Sequence, residues 1–204
     1  MHTAGGFVAA TLLAFASGLI PSTGPTADQA PSRQDADVMS QKIMAMFAHS
    51  LSAAADATLH TSFSEAELNA YLVHYATEDL PVGVAQTQVS LLDDSRVRTR
   101  ALVDLDAVRK SEPRGLLDPL RYVTGIVPVE AVGVLTARDG RATFTYESGT
   151  VGRLPLPRSV LHELVAFYTR TPDTPTGVNL DEPFALPAGI RQVLIRRGAA
   201  TVVQ

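Results

Sequence analysis

Hydrophobic positions change their period several times along the chain, and each change marks an element. No Pro or Gly interrupts residues 35–60, and Val38, Met39, Ile43, Met44, Phe47 and Leu51 recur at three- and four-residue spacing. That spacing puts them on one face of a long amphipathic helix over 35–60. A second helix opens at Ser64, where Ser64-Glu65-Ala66-Glu67 forms a capping box. The serine hydroxyl takes the amide of Glu67, and the Glu67 carboxylate reaches back to the serine amide. Leu68, Tyr71, Leu72 and Tyr75 then line one face, and Leu80-Pro81 with Gly83 closes the element.

Beyond Gly83 the period drops to two. Segments 84–92 and 96–108 flank Asp93-Asp94, a turn-prone pair that suits a hairpin bend. In the second segment Val97, Thr99, Ala101, Val103 and Leu105 share one face, and Arg96, Arg98, Arg100, Asp104 and Asp106 share the other. Pro113, Gly115 and Pro119 make 110–124 a long connection, with a helical turn expected at 116–122. Segments 126–136 and 141–148 flank Asp139-Gly140, a pair favoured where a hairpin turn needs positive φ. A third helix is expected over 158–170, with Val160, Leu161, Leu164, Val165 and Tyr168 as its buried stripe; Pro172 and Pro175 end it. The last strand, 191–203, is interrupted at Gly198 by a turn or a bulge. The fold class this order predicts is α+β: a curved antiparallel sheet of about four to six strands wrapped against helices.

Alternation also predicts which side chains point inward. Ala101, Ala131, Gly133 and Ala142 are small, and they sit beside Val103, Leu105, Leu135 and Phe144 on the same face. Small inward residues either admit a helix closely and seal a dry core, or leave room for an apolar guest. In the second case Met44, Phe47, Leu68 and Leu72 from the first two helices, and Leu161, Leu164 and Val165 from the third, would complete the wall of a binding groove.

Composition narrows the functions. Of 204 residues 46% are hydrophobic and 19% charged, a globular profile able to bury a core. A formal charge of −4 argues against nucleic acid, which requires a concentrated basic footprint. Cysteine is absent, so disulfides, thiolate zinc sites and a lipidated cysteine are excluded. The first 27 residues carry no Asp, Glu, Lys or Arg, and an apolar stretch over 7–20 precedes Pro21, with Ala14-Phe15-Ala16 as a small-x-small cleavage signature. We therefore expect an export signal over 1–24, a flexible linker over 25–34 and one α+β domain over 35–204, in a periplasmic or extracellular protein.

Catalytic and metal motifs are missing. His162-Glu163 starts like a metalloprotease helix, but the second imidazole one turn later is replaced by Ala166. His49 and His60 have no partner at ligand spacing, and neither a Gly-x-Ser-x-Gly elbow nor a phosphate-cradling glycine loop occurs in the mature region. Asp104 and Asp106 share a strand face with arginines, where ion pairing explains them more simply than acid–base work. Arg96, Arg98 and Arg100 could grip an anionic head group, although an outward charged face is the plainer reading. No enzyme, cofactor or metal is expected.

The segment Phe63-Ser64-Glu65-Ala66-Glu67-Leu68-Asn69-Ala70-Tyr71-Leu72 resembles the one that opens small exported bacterial proteins of the tubular lipid-binding (TULIP-like) group. The order of parts over 63–203 is also similar: a helix, long antiparallel strands, a helix, and a closing strand entered through a Gly-Ile step, here Gly189-Ile190. The helix over 35–60 lies outside that likeness. The resemblance implies a strongly curved sheet wrapped on a helix to form an apolar groove, and a role in holding or moving lipid in the cell envelope. The expected function is extracytoplasmic binding or transport of a hydrophobic, lipid-like ligand, with transient membrane or envelope-protein contacts. The alternative is a non-catalytic envelope interaction module with a packed core.

Overall fold

A computed structural model describes residues 31–52, 57–77, 80, 83–104, 106, 125–168 and 175–204. The first helix, α1 (Arg33–Ser50), starts two residues before the expected position, inside the segment read as a linker. Ser32 caps it, accepting from the amides of Gln34 and Asp35 at 3.2 and 3.4 Å. It also ends ten residues earlier than the unbroken pattern predicts. Ser50 Oγ and Ser52 Oγ each donate back to a carbonyl three residues earlier, Phe47 and His49, at 2.8 Å. Such local bonds compete with helix propagation. His60, the last residue of that expected helix, instead opens strand β1 (His60–Ser64), because the C-terminal strand claims this segment's backbone.

Helix α2 (Glu65–His74) begins with the expected capping box, both halves formed. Strands β2 (Val84–Leu91), β3 (Arg96–Asp104), β4 (Ile126–Arg138) and β5 (Arg141–Val151) then make an antiparallel meander. Asp139 and Gly140 turn the β4–β5 hairpin with φ of +52° and +75°, as that residue pair predicts. Short β6 (Leu154–Pro155) leads into α3 (Arg158–Tyr168), and short β7 (Phe184–Ala185) precedes the hairpin β8 (Gln192–Arg196) and β9 (Ala199–Val203). The interruption near Gly198 is a turn, with φ +72° at the glycine. Leu105 and the expected helical turn at 116–122 lie outside the described residues.

Among the described residues nine strands form one sheet, in the order β1-β9-β8-β4-β3-β2, with β5 on the other side of β4. Long β4 is the branch point. Its first nine residues pair with β3, while Ala137 near its end pairs with Val193 of β8. The ribbon β8-β9-β1 therefore leaves the meander at the end of β4, and bulges between Ala85 and Gln88 and between Val132 and Gly133 add local twist. The result is a strongly curled antiparallel half-barrel with few helices. Its outer face carries the charges alternation assigned there: Arg100 pairs with Glu130 at 3.0 Å and Arg96 with Glu147 at 3.2 Å. Arg197 bonds Asp93 at 2.7 Å across the sheet end, and that bond holds the Asp93 carboxyl below its ordinary range.

Candidate functional site

The concave face divides into two apolar compartments. In the first, Met39, Ile43 and Met46 of α1 and Leu68 and Leu72 of α2 lie over Phe63 of β1, Leu135 of β4 and the C-terminal hairpin. In the second, Leu161 and Val165 of α3, with Leu180 from the segment before β7, cover Val129, Ala131 and Phe144.

A cavity of about 50 Å³ sits in the first compartment, between Met39 and Met46 on one side, Leu135 and Ala142 on the sheet, and Phe184 and Leu186. A second of about 30 Å³ touches Leu68, Val89, Val97 and Phe144, and shares Phe63, Leu135 and Val193 with the first. The first cavity's lining residues are all apolar, so a water there would find no hydrogen-bond partner and the space stays dry. A preformed apolar cavity of about 150 Å³ accepts benzene, so the larger void seats about two carbons as it stands. A longer guest has to move its walls. Met39 and Met46, 1% and 3% exposed, are the side chains best able to do so, being unbranched and flexible.

Several predicted site residues are brought together here. Leu68, Leu135 and Phe144 border the cavities, Leu72 is buried in the same cluster, and Phe47 packs on its margin. Ala131, Leu161 and Val165 are buried in the second compartment, with Val103 packed against it. Ala101 is buried at 1%. Met44 is not among them: it is 68% exposed on the outer side of α1, and Met39 and Met46 hold the inward positions. Leu164 lies in α3 with its side chain outside the described set, and Leu105 is likewise outside it. Gly133 does not open space. A Cβ at that position would stand 2.2 Å from Phe144 Cζ, so the aromatic ring already fills the room that the missing side chain leaves.

Polar bonds fix the helices against the half-barrel. Lys42 Nζ donates to both carboxylate oxygens of Glu67 at 2.7 and 2.9 Å, tying α1 to the cap of α2. Burial raises the Glu67 pKa, but bonds from Lys42 and the Ser64 amide outweigh it, leaving the group below its ordinary value. Asn69 reads like a strand neighbour of β2: its amide nitrogen donates to Val89 O and its oxygen accepts from Val89 N, each at 2.7 Å. Glu65 Oε2 accepts from the Leu91 amide at 2.7 Å. Gln204 Nε2 donates to Met46 O at 2.9 Å, holding the end of α1 over the first cavity. Tyr75 donates to Asp37, and this bond keeps the phenol protonated above its ordinary range; burial does the same for Tyr146, whose hydroxyl donates to Leu156 O at 2.5 Å.

The residues considered for catalysis have structural partners. Asp104 Oδ1 accepts from the Asp106 amide and Asp106 Oδ2 from the Gly125 amide, each at 2.9 Å, so both carboxylates brace the chain where β3 ends and β4 begins. His162 Nδ1 lies 3.2 Å from Asp181 Oδ2, and Arg158 bonds the same carboxylate. Among the described residues no three of His, Asp and Glu converge on a point that could hold a metal ion. The groove predicted from the sequence left out Phe63, Ile190 and Val202, and took Met39 and Met46 for packed core rather than cavity wall. Inward alternation at Phe63 and Val202 was a usable signal; the rest depend on how the C-terminal segment crosses α1. Comparison with protein families, with curated proteins and with solved structures finds no match in any of the three.

Proposed function

We propose that this chain is an extracytoplasmic carrier of a hydrophobic, lipid-like molecule, held between the concave sheet and the helices in the manner of TULIP-like proteins. The observation that carries this reading is the dry apolar cavity beneath α1, which shares Phe63, Leu135 and Val193 as walls with a second void. Each 100 Å² of apolar guest surface buried there contributes about 2.5 kcal/mol. Guest entry asks for rotation of Met39, Met46 and Phe63 rather than rupture of the sheet. The extracytoplasmic part of this reading is supported by the uncharged apolar stretch over 7–20. Among the described residues no helix is long and apolar enough to cross a membrane.

The alternative, an envelope interaction module with a filled interior, draws on the packing of Phe144 under Gly133. Ala142→Val separates the two readings. It adds two carbons into the larger cavity from a strand position that suits a β-branched side chain. As a carrier, the variant loses binding of the dye Nile red about tenfold or more with its thermal midpoint held or raised. Unchanged dye binding, or none in the parent protein, favours the interaction module.

A further inference from the structure

The bulge between β2 and β3 has an unusual occupant. Ala85 pairs with Leu102 and Gln88 with Arg100, which leaves Gln86 and Thr87 together opposite Ala101. Gln86 takes φ of +52°, a left-handed conformation uncommon for a residue with a side chain. Beyond it the alternation is regular: Thr87, Val89 and Leu91 are buried, and Gln88 is exposed. Thr87 is 5% exposed, and among the described residues its Oγ1 has no hydrogen-bond partner. A buried hydroxyl without a partner has lost water and gained nothing, whereas an apolar side chain of the same shape would carry no such cost. Around it the inward face is at its smallest: Ala101 lies opposite, Thr99 is the next inward residue on β3, and Ala131 faces Thr99 from β4, all 1% exposed. The smaller cavity starts at Val89, one inward position along β2 and roughly 7 Å away.

We propose that Thr87 Oγ1 anchors the single polar end of an otherwise apolar guest, recognising a neutral hydroxyl or carbonyl. This rests on the carrier reading above and names what that carrier selects. A threonine hydroxyl both donates and accepts, so it answers either group. The inward positions of β2 and β3 among the described residues are Thr, Val, Leu and Ala, with no ionisable side chain to compensate a charged end. The bulge supplies the placement, since it sets Ala85 and Gln86 outward and Thr87 inward, on the face that Val89 carries toward the smaller cavity.

Competition of 1-decanol and n-decane against Nile red, in the parent protein and in Thr87→Val and Thr87→Ser, tests the proposal. Thr87→Val keeps the side-chain shape and removes the hydroxyl. The expected result is a loss of about fivefold in decanol affinity with less than a twofold change for decane, the effect of one neutral hydrogen bond. Thr87→Ser keeps the decanol affinity, and Thr87→Val without guest has a thermal midpoint equal to or above the parent's. If both competitors respond alike to Thr87→Val, or if that variant without guest is clearly less stable, the anchor is wrong and the carrier stands. If neither competitor displaces dye from the parent, carrier and anchor both fall.

Discussion

Replacing Asn69 by Ala removes the side chain through which α2 closes the outer edge of β2. Its amide forms three bonds: 2.7 Å to Val89 O, 2.7 Å from Val89 N, and 2.9 Å to Glu65 O. The first two matter most, because they engage both backbone groups of a residue that is 4% exposed. A net loss of about 1 kcal/mol for each of the three bonds gives about 3 kcal/mol in total. For a domain of this size that is a fall of about 6–12 °C in thermal midpoint. Urea unfolding followed by circular dichroism reads the free energy, and amide exchange reads the place: Val89 should lose protection while Val97 to Ala101, in the middle of the sheet, keep theirs. A midpoint within about 1 °C of the parent's, or an unchanged Val89 exchange rate, would refute the view that Asn69 acts as a substitute strand.

Two further perturbations follow from the same contacts. Glu67 has a folded pKa below its unfolded value, so its contribution is complete above the ordinary glutamate range near about 4.3 and disappears as pH falls through the lowered folded value. Urea titrations of Glu67→Gln should therefore run closer to the parent at acid pH than at neutral pH; a constant gap across that window contradicts the assignment. Gly133→Ala sets a methyl 2.2 Å from Phe144 Cζ and 2.6 Å from the Thr145 carbonyl, and because the carbonyl cannot swing away the variant should lose about 1–3 kcal/mol by the same urea assay. A neutral result would mean that the ring does not occupy the space beneath the glycine.

Local chemistry was legible in the chain where neighbouring residues decide the outcome. The Ser64–Glu67 capping box and the Asp139-Gly140 turn involve side chain and backbone within four residues, and both formed as read. Alternation along β3 identified Val97, Thr99 and Ala101 as inward and the arginines as outward. Distant partners decided the remainder. Strand β1 exists because β9 pairs with it, as the 2.8 Å bond between Ser62 and Thr201 illustrates, and nothing in residues 35–60 signals that partner. Met44 is a different case: at about 100° per residue it stands about 140° around α1 from Met39 and about 160° from Met46, so helical geometry alone sets it apart from the two buried methionines. Small inward residues were visible as a pattern, yet whether a neighbour fills them depends on cross-strand register, which put Phe144 against Gly133 and left room beside Ala142.

Native mass spectrometry of protein drawn from its own cells without detergent, with organic extraction of the same sample, addresses most directly whether the interior carries a guest. The carrier account expects a bound apolar species of discrete mass, released into organic solvent and diminished in Ala142→Val. A bare polypeptide mass, with nothing extracted and no dye binding by the parent, would contradict it.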